Sequence, residues 1–441
     1  MSKIDELIAK YCPNGVEFKK LGELGTFENI GVDKKIIEGQ KKVMLLNFMD
    51  VMRNKHITKK VLTMEVSASD SKIEKCDIKK HDIFITPTSE TRDEIGFAAV
   101  VDEDIPDAVY SYHIMRYRLF EKNDVTPYFI RYLFEAESLR IQILKASKGL
   151  TRYGLSGKDF AKLLIPLPPL PVQQEIVNIL DNFTELEKEL EEELKARHNQ
   201  YKYYRNQLLT PVEVDDKWLM NGVEVEWKTL GELGIFYGGL SGKTKADFQD
   251  GNAKYISYMN VYSNIAINTN INDFVRIGEN ENQNRVEYGD VLFTGSSETP
   301  DECGISSVLT EKISEPLYLN SFCFGFRLHD KNLFLPDFLK YLFRDDIIRK
   351  QIARTANGVT RFNVSKKLFA KILIPIPPLS EQERIVEILD KFDSLVNDIS
   401  IGLPAEIEAR HKQYEYYRSK LLSFKPVVSD KRLVFNEITN H

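Results

Sequence analysis

The stretch FAKLLIPLPPLPVQQEIVNILDNF, residues 160–183, decides the fold because the chain repeats it as FAKILIPIPPLSEQERIVEILDKF at residues 369–392. Each copy is a proline-rich segment followed by an amphipathic pattern. Each also ends on a second shared motif, ARHNQYKYYRNQLL at residues 196–209 and ARHKQYEYYRSKLL at residues 409–422. Apolar residues spaced by three or four keep one stripe on one side of a helix. The repeat therefore predicts two long helical arms in one chain.

The apolar and aromatic residues of the arms predict a helix–helix interface. They are Ile176, Leu180, Phe183, Leu190, Leu194, Tyr201, Tyr204 and Leu208 in the first arm, and Ile385, Leu389, Phe392, Ile407, Tyr414, Tyr417 and Leu421 in the second. A helix of about 38 residues would be roughly 57 Å long, far longer than an ordinary globular helix. Such a helix usually needs another along it. The second copy is one candidate partner, and burial against a larger protein is the alternative.

The second arm has two features that the first lacks. Ser380 and Glu383 have the spacing of a capping box, which predicts a helix start at this point. Towards its middle the second arm is four residues longer and contains Gly402 and Pro404. A four-residue insertion alone keeps the apolar stripe roughly in phase. Glycine and proline together favour a break, with a new helix that starts near Pro404, and a continuous arm is the alternative.

The repeat also extends through the rest of the chain. The matching segments are NGVEFKKLGELGTF (14–27) with NGVEVEWKTLGELGIF (221–236), DIFITPTSETRDEIG (82–96) with DVLFTGSSETPDECG (290–304), PYFIRYLF (127–134) with PDFLKYLF (336–343), and KGLTRYGLS (148–156) with NGVTRFNVS (357–365). A period this long indicates a duplicated domain rather than a solenoid. The chain is therefore predicted to contain two halves of one design.

Each half is predicted to be an α+β domain followed by a helical arm. Between the matching segments, short apolar or β-branched runs are separated by Asn, Asp and Gly, a pattern typical of strands. The segments PYFIRYLF and PDFLKYLF predict amphipathic helices that run on to the regions of Gly149 and Gly358, where glycine suits a helix end.

Composition places the chain among ordinary globular proteins. It has 441 residues, of which 42% are hydrophobic and 29% charged, and this length predicts two or three domains. No apolar run has the length of a membrane span, and the first residues lack the apolar core of a secretory signal. Cys12, Cys76, Cys303 and Cys323 have neither metal-ligand spacing nor the density of a disulfide framework. These features predict a reduced, cytoplasmic protein without a membrane partner.

The charge pattern leaves nucleic-acid binding open. The formal net charge is −6, but acidic residues are concentrated in the first arm, with a run of glutamates at 185–193. The globular stretch before it is nearly neutral and contains clusters of lysine and arginine. Such clusters suit DNA phosphates, although a solvated lysine-rich surface has the same composition.

A search for catalytic motifs finds none. Residues 242–244 resemble the end of a phosphate-binding loop, but the first glycine of that motif is replaced by Tyr237. The Pro-Pro pairs lie between apolar residues and lack the Asn or Asp of an adenine methyltransferase tetrapeptide. His198 and His411 recur at matching positions beside basic and polar residues, which favours surface or interface histidines over metal ligands. We therefore predict no catalytic residue and no metal site.

The repeated Ser-Glu-Thr triplets are candidate binding loops. The residues concerned are Ser89, Glu90, Thr91 and Arg92 in the first half and Ser297 and Thr299 in the second. A polar loop near a ligand is one interpretation. A structural turn, in which the hydroxyls bond to local backbone, is the other.

The Gly-x-Thr-Arg-aromatic loops are the sharper candidates. Their residues are Lys148, Thr151, Arg152 and Tyr153 in the first half and Thr360, Arg361 and Phe362 in the second. Glycine lets backbone approach a phosphate, threonine offers a hydroxyl, arginine offers a planar set of donors, and the aromatic ring can pack on a sugar or base. Because arginine also pairs with carboxylates of its own domain, direct DNA contact and an internal ion pair both remain open.

The duplicated arm motifs, the NGVE…LGELG heads and the Gly-x-Thr-Arg loops together resemble specificity subunits of type I restriction–modification systems. The resemblance runs from about Asn14 to Leu422. It implies a target recognition domain at 1–168, a long spacer helix at 169–210, a second target recognition domain at 211–377, a second helical spacer at 378–424 and a C-terminal tail at 425–441. The spacers are expected to form an antiparallel coiled coil with internal pseudo-twofold symmetry.

The resemblance also implies a function. Each target recognition domain would read one half of a split, asymmetric sequence in double-stranded DNA, while the coiled coil fixes the half-site spacing and docks two methyltransferase (modification) subunits. The chain itself would catalyse nothing and bind no cofactor. S-adenosylmethionine, ATP and Mg would be bound by the modification subunits and by the restriction/translocase subunits. A fused restriction endonuclease or methyltransferase, and an orphan coiled-coil scaffold without a DNA role, are the alternatives.

Overall fold

The computed structural model describes residues 3–121, 124–398 and 401–427. Its chain divides into two compact units, one made of Met1–Glu189 and Ile407–His441 and the other of Leu190–Glu406. We call them unit 1 and unit 2. Both mix helices with strands, which confirms the predicted α+β class with two similar domains.

The helices of the described residues are short except in the arms. They are α1 (Lys3–Tyr11), α2 (Leu21–Leu24), α3 (Phe48–Arg53), α4 (Asp70–Lys75), α5 (Pro127–Leu133), α6 (Glu137–Ala146), α7 (Gly157–Phe160), α8 (Leu170–Leu209), α9 (Leu230–Leu233), α10 (Tyr258–Ser263), α11 (Pro336–Leu342), α12 (Asp346–Ala353), α13 (Lys366–Phe369), α14 (Leu379–Asn397) and α15 (Leu403–Leu421). Short 3-10 helices cover Lys59–Val61, Arg92–Glu94, Lys245–Phe248 and Pro300–Glu302.

The strands are also short. Those of unit 1 are β1 (Glu17–Lys20), β2 (Gly25–Glu28), β3 (Lys41–Leu46), β4 (His56–Ile57), β5 (Met64–Ala68), β6 (Ile83–Ile85), β7 (Thr88–Ser89), β8 (Ala98–Val101), β9 (Ala108–Tyr110), β10 (Met115–Leu119), β11 (Tyr153–Gly154) and β12 (Leu164–Leu167). Those of unit 2 are β13 (Val212–Val214), β14 (Lys217–Met220), β15 (Val223–Glu224), β16 (Glu226–Thr229), β17 (Gly234–Gly238), β18 (Ala253–Ile256), β19 (Phe274–Val275), β20 (Val291–Thr294), β21 (Ser296–Ser297), β22 (Ser306–Val308), β23 (Leu317–Leu319), β24 (Cys323–Leu328), β25 (Ala356–Asn357), β26 (Phe362–Val364) and β27 (Leu373–Ile376).

Unit 1 is built around a five-stranded sheet in the order β2-β10-β6-β8-β4. Successive side chains of a strand point to opposite faces, so Ile83 and Ile85 enter one apolar core while Phe84 enters another. The first core contains residues of α5, α6 and the start of α8. The second contains residues of a smaller sheet, β5-β3-β9. The main sheet is therefore covered on both faces, by helices and by the small sheet.

Unit 2 repeats this plan. Its main sheet has the order β17-β24-β20-β22. Val291 and Phe293 of β20 enter a core with residues of α11, α12 and α14, whereas Leu292 enters a second core. That second core includes residues of the sheet β19-β18-β23. In both small sheets the central strand has one parallel neighbour, β9 beside β3 and β23 beside β18.

A two-stranded ladder closes each globular part where the arm begins. In unit 1, β1 pairs antiparallel with β12, so Glu17 lies opposite Leu167. In unit 2, β16 pairs antiparallel with β27, and Glu226 lies opposite Ile376. The proline-rich segments thus form the last strand of each globular part, directly before the long helices.

The helical segment after residue 127, and its repeat after residue 336, differ from the prediction. The prediction of one continuous helix is wrong in both halves. In unit 1, α5 ends at Leu133 and α6 begins at Glu137; in unit 2, α11 ends at Leu342 and α12 begins at Asp346. In unit 2 the reason is visible in the side chains. Asp345 has an extended backbone and its carboxylate accepts a hydrogen bond from the Ile347 N–H at 3.0 Å, which is the geometry of a helix N-cap. In unit 1 Ala136 holds the same place without a side-chain cap.

The arms confirm the predicted long helix, and the second arm is broken rather than continuous. The first arm is one helix of 40 residues, α8. The second is divided into α14 and α15, and α15 starts at Leu403, next to Pro404. The predicted capping box is wrong, because α14 already starts at Leu379, with Pro378 at the cap position and no side-chain cap. Ser380 therefore lies inside the first turn instead of preceding it.

Within each unit, part of α8 packs against a segment of the second arm. In unit 1 the rings of Phe183 and Tyr417 stack at 5.3 Å between centroids, and Glu187 lies 3.3 Å from His411. Residue numbers rise along α8 as they fall along α15, so this pair is antiparallel. In unit 2 the ring of Phe392 lies 5.5 Å from that of Tyr204. These contacts use the apolar stripe identified in the sequence.

Asp345 provides a test of unit 2 stability. The side chain is 1% exposed, and burial raises its pKa to about 6. The carboxyl of Asp345 has a higher pKa in the folded chain than in the unfolded chain, so its protonated form stabilises unit 2. This contribution to the free energy of unfolding is fully present below about pH 4 and is lost as pH rises through about 6. We expect Asp345→Asn, which keeps an acceptor at the cap, to raise the free energy of unfolding at pH 7 by about 1–2 kcal/mol. Both tryptophans of the chain lie in unit 2, so their fluorescence follows its unfolding in denaturant.

The control for this test is pH 4, where the carboxyl is largely protonated. Wild type and Asp345→Asn should then unfold at nearly the same denaturant concentration. A difference of equal size at pH 4 and pH 7 would mean that the charge of Asp345 is not the cause.

Candidate nucleic-acid interface

The two candidate loops of each half lie side by side. In unit 1, β7 carries the start of the Ser-Glu-Thr loop and pairs with β11 of the Gly-x-Thr-Arg loop, so that Ser89 lies opposite Tyr153. In unit 2, β21 pairs with β26, and Ser297 lies opposite Phe362. The sequence presents these loops as separate motifs, whereas the structure joins them into one surface in each unit. We call this surface the loop platform.

The serines of the platforms stabilise their own loops. The hydroxyl of Ser89 donates to the carboxylate of Glu94. In unit 2, Glu302 accepts from Ser297 at 3.2 Å and from Thr299 at 2.9 Å. The pKa of the Glu302 carboxyl is held below its usual range, first by the hydrogen bond from Tyr262 and then by those from the two loop hydroxyls. Glu90, Thr91 and Arg92 remain exposed.

The Gly-x-Thr-Arg loops are tight turns that only glycine permits. Gly149 and Gly358 have φ angles of 140° and 149°, in a region that L-residues rarely adopt. A Cβ atom at Gly149 would lie 1.9 Å from the carbonyl oxygen of Arg152, and one at Gly358 would lie 2.0 Å from that of Arg361. The turn therefore brings the arginine backbone directly over the glycine.

The base of each turn is fixed by backbone hydrogen bonds. In unit 1 the amide of Lys148 donates to Gly154 at 3.1 Å, and Gly154 donates back at 2.9 Å. In unit 2, Asn357 of β25 pairs with Asn363 of β26. Lys148, Thr151 and Thr360 are exposed, whereas the rings of Tyr153 and Phe362 are half-buried.

Both loop arginines bind hydroxyl groups of the neighbouring loop rather than carboxylates. The guanidinium of Arg152 donates to the Thr88 hydroxyl at 3.4 Å. That of Arg361 donates to the Ser296 hydroxyl through Nε at 3.2 Å and Nη2 at 3.0 Å. A hydroxyl orients a guanidinium without neutralising it, so both positive charges remain available to an anion. Arg92 lies over the ring of Tyr153 at 4.8 Å.

In unit 2 the platform borders an open cleft of about 540 Å³. Its walls combine the loop residues with the N-terminal turn of α10 and an exposed ring before β24. They comprise Tyr258, Met259, Tyr262, Ser296, Ser297, Glu298, Glu302, Phe322, Thr360 and Arg361. The cleft offers a guanidinium, carboxylates, a hydroxyl and an aromatic face, which are the groups that read the edges and faces of bases.

Unit 1 has the same framework with different chemistry. His113 follows Ser111 in a turn in which the Ser111 hydroxyl accepts the His113 N–H, as Asn320 accepts that of Phe322. The pKa of His113 is lowered, first by burial and then by the positive charges of Arg152 and Lys34. An imidazole thus occupies the place that holds an aromatic hydrocarbon ring, Phe322, in unit 2.

The arm residues predicted from the sequence divide between the two units. In unit 1, Ile176, Leu180, Tyr414 and Leu421 are buried in one core, Phe183 and Tyr417 pack against it, and Ile407 is half-buried. In unit 2, Tyr201, Ile385 and Leu389 are buried, with Leu194, Leu208 and Phe392 packed against them. Leu190 is buried and Tyr204 is 38% exposed.

Sequence reasoning missed the polar residues that attach each globular part to its arm. The Tyr132 hydroxyl donates to Asp181 of α8 at 2.5 Å, and the Tyr341 hydroxyl donates to Asp390 of α14 at 2.6 Å. Gln173 has no exposed surface, and its amide donates to two carbonyls, one of them that of Pro168, at 2.7 Å. All of these positions lie inside or beside repeated segments, so the repetition was the signal that could have revealed them.

The structure also bears on disulfides, metal sites and membrane-spanning helices. The four cysteines are buried and free. Among residues 3–121, 124–398 and 401–427, no group of His, Cys, Asp and Glu could hold a metal ion. In the same part of the chain, no helix combines the length and apolar character needed to cross a membrane.

Comparison with known proteins identifies both halves. The family model described as the type I restriction modification DNA specificity domain matches residues 13–196 and again residues 222–409. The chain belongs to this family. It contains the specificity domain twice, and each copy includes one of the loop platforms. The predicted family and the DNA-specificity role of the two domains are thereby confirmed.

Individual relatives of the specificity domain agree with the family match. The Escherichia coli type I restriction enzyme EcoR124I/EcoR124II specificity subunit is 38% identical over 295 residues, which are 62% of this chain and 66% of that protein. A candidate type I restriction enzyme specificity subunit of Haemophilus influenzae, S.HindORF215P, is 32% identical over 300 residues, 61% of this chain and 68% of that protein. The chain thus spans about two thirds of the length of these relatives.

A solved chain of the type I R-M system has the same fold. Its TM-score is 0.61, with 18% sequence identity, over 93% of this chain and 98% of that chain. At this identity the likeness concerns the fold alone.

Proposed function

We propose that the chain is the DNA specificity subunit of a type I restriction–modification system. In this proposal each unit binds one half of a split, asymmetric target in double-stranded DNA through its loop platform. The arms set the half-site spacing and dock two modification subunits, and restriction/translocase subunits join the same complex. The chain selects the DNA sequence, and its partner subunits carry out the chemistry.

The observation that carries the proposal is one platform built twice with different contact residues. Both units place a guanidinium on a neighbouring hydroxyl, beside a glycine turn and a loop stabilised by a serine–glutamate hydrogen bond. Around this constant framework, His113 in unit 1 replaces Phe322 in unit 2. A constant framework suits the phosphate backbone, which is the same in both half-sites, and variable side chains suit bases that differ.

The cofactors follow from this division of labour. We propose that S-adenosylmethionine is bound by the modification subunits and ATP with Mg by the restriction/translocase subunits. A fused endonuclease or methyltransferase is less well supported, because the family match assigns both halves to the DNA specificity domain. The orphan-scaffold alternative is addressed by the second experiment below.

A methyl-transfer assay tests the proposal. The purified chain, mixed with labelled S-adenosylmethionine and host DNA, should transfer no methyl group, and transfer should begin when the modification subunits are added. Sequencing of methylated DNA from hosts with and without the gene should show one split motif that disappears on deletion. Transfer by the isolated chain, or a methylation pattern unchanged by deletion, would contradict the proposal.

The loop arginines provide a separate prediction. In the complex with modification subunits, Arg152→Ala or Arg361→Ala should weaken target binding by about 1–3 kcal/mol if the guanidinium contacts a base. If it contacts a phosphate, the slope of binding against salt should fall by about one. The measurement is fluorescence anisotropy of a labelled target duplex at several salt concentrations.

Lys217 supplies the matched control for these variants. It is an exposed cation of β14 that pairs with Glu224 at 2.8 Å, so Lys217→Ala removes the same charge outside the platforms and the arms. Unchanged DNA affinity together with a lower melting temperature in the arginine variants would instead indicate a structural role for these residues.

A further inference from the structure

The tips of the two Gly-x-Thr-Arg turns carry the most exposed large apolar side chains of the described residues. Leu150 is 93% exposed and Val359 is 91% exposed. Each follows the positive-φ glycine, so they occupy the same place in the two turns. Single exposed apolar residues are common on protein surfaces, but the same exposure at equivalent positions of two units that differ elsewhere indicates a shared purpose.

The tips are held rigidly. In unit 2 the turn connects β25 and β26, which are paired from Ala356 to Val364 and from Asn357 to Asn363. In unit 1 the reciprocal backbone hydrogen bonds of Lys148 and Gly154 give the same closure. A side chain on a closed turn is presented in one direction, so little conformational freedom is lost when it meets a ligand.

The charges around the tips indicate a polyanion as the ligand. The chain has no acidic residue between Glu137 and Asp159, a segment that contains Lys145, Lys148, Arg152 and Lys158. It has none between Asp346 and Glu381 either, and this segment contains seven lysines and arginines. An apolar tip whose own chain segment carries cations and no carboxylate is complementary to a groove of duplex DNA, where phosphates line the rims and base edges form the floor.

The shape of the turn favours the major groove, and the size of the two side chains favours contact with a thymine methyl group. The turn is the end of a two-stranded ribbon, which the major groove, about 12 Å wide, accommodates more readily than the minor groove, about 6 Å wide. Valine is too short to fill an opened base step, so a wedge between bases does not suit both tips. The apolar group that base edges present in the major groove is the C5-methyl of thymine. Leucine and valine can both pack against it.

We propose that Leu150 and Val359 are specificity-determining residues, each packing against a thymine methyl group in the major groove of its own half-site. The proposal rests on the proposed function and adds the base contact that the apolar tips make. It also explains why the tips are not polar, because a polar side chain there would gain nothing from a methyl group.

The experiment uses the complex of the full chain with its modification subunits. Hosts expressing wild type, Leu150→Ser or Val359→Ser are compared by single-molecule sequencing of methylated DNA. Each variant should relax the preference for thymine at one position, Leu150→Ser in one half-site and Val359→Ser in the other. Val212→Ser, at a 56% exposed apolar residue of β13, should leave the motif unchanged. Because the tips are almost fully exposed, both variants should keep the wild-type melting temperature.

A chemical substitution then isolates the methyl group. Replacing the identified thymine by uracil in a target duplex removes one methyl, which should weaken wild-type binding about fourfold and leave binding by the serine variant unchanged. Equal binding of both duplexes by wild type, or an unchanged motif in variants that methylate normally, would overturn this inference alone. No methylation by the wild-type complex would overturn the proposed function and this inference with it.

Discussion

Glu135→Ala is expected to lower the free energy of unfolding of unit 1 by about 3–5 kcal/mol, the range for breaking a buried ion pair by removing one partner. Glu135 lies between α5 and α6 and forms an ion pair with Arg131, whose side chain is 2% exposed. Its carboxylate also accepts from the Tyr414 hydroxyl at 2.8 Å. Alanine at this position leaves a buried guanidinium without its counter-charge.

The pKa values of this cluster indicate how strongly the charges depend on each other. Burial alone would raise the pKa of Glu135, but Arg131 and Lys55, with the hydrogen bond from Tyr414, hold it below its usual range. Burial lowers the pKa of Lys55. Because the pKa of Glu135 is lower in the folded chain than in the unfolded chain, the ionised carboxylate stabilises unit 1. This contribution to the free energy of unfolding is present above about pH 4.5 and is lost as pH falls through the pKa that Glu135 has in the folded chain. The loss caused by Glu135→Ala should therefore shrink in acid.

The loss of stability caused by Glu135→Ala is measured by hydrogen–deuterium exchange of α5 and α6 peptides, together with urea unfolding followed by circular dichroism. Glu135→Gln keeps the acceptor for Tyr414 and removes only the charge, so its loss should be smaller. Glu408→Ala breaks an exposed pair in the same unit and should cost about 0.5 kcal/mol or less. If Glu135→Ala cost no more than this control, Arg131 would have to find a new partner or water, and the cluster would not stabilise unit 1.

The second large effect is expected from Gly358→Ala. The new Cβ would meet the Arg361 carbonyl oxygen at 2.0 Å, a contact with backbone that no rotamer can relieve. The φ of 149° adds strain of about 1–3 kcal/mol for a residue other than glycine. The turn must therefore open and move Arg361. We expect methylation of target DNA to fall at least tenfold, since loss of a good base contact alone costs about 1–3 kcal/mol.

Gly242→Ala is the matched control in the same unit. Gly242 also has a positive φ, 67°, but a Cβ there meets nothing within 4 Å, so only the cost of the left-handed backbone applies, about 1–2 kcal/mol. Tryptophan fluorescence would show that both variants retain a folded unit 2. Normal methylation by folded Gly358→Ala would show that the turn is not part of the DNA surface.

The repeat made most of the architecture predictable from the sequence. Two copies of one pattern predict two similar domains, and the matching arms predict both the long helix and its apolar stripe. Gly402 and Pro404 favoured a break in the second arm, because proline and glycine act locally, but the sequence left a continuous arm open. The domain boundaries and the individual DNA-contact residues remain predictions.

What the sequence did not reveal depends on contacts between distant segments. The division between α11 and α12 in unit 2 is marked by the cap residue Asp345. The corresponding division between α5 and α6 in unit 1 carries no such signal, because Ala136 stands at the cap position. The helix start at Leu379 follows from Pro378 rather than from the Ser380 and Glu383 pattern. The joining of the Ser-Glu-Thr and Gly-x-Thr-Arg loops requires strand pairing across more than fifty residues, and short polar strands carry little information about their partners.

The ladders β1–β12 and β16–β27 have a consequence for how such a chain can evolve. They place the entry and the exit of each globular domain on adjacent strands, next to the start of an arm. Everything between these strands can change, as long as the two ladder strands and the arm stay the same. Each domain is in this sense an exchangeable cassette, bounded by the same two paired strands. A chain built in this way can acquire a new DNA preference by exchanging one cassette, without redesigning the scaffold that carries it.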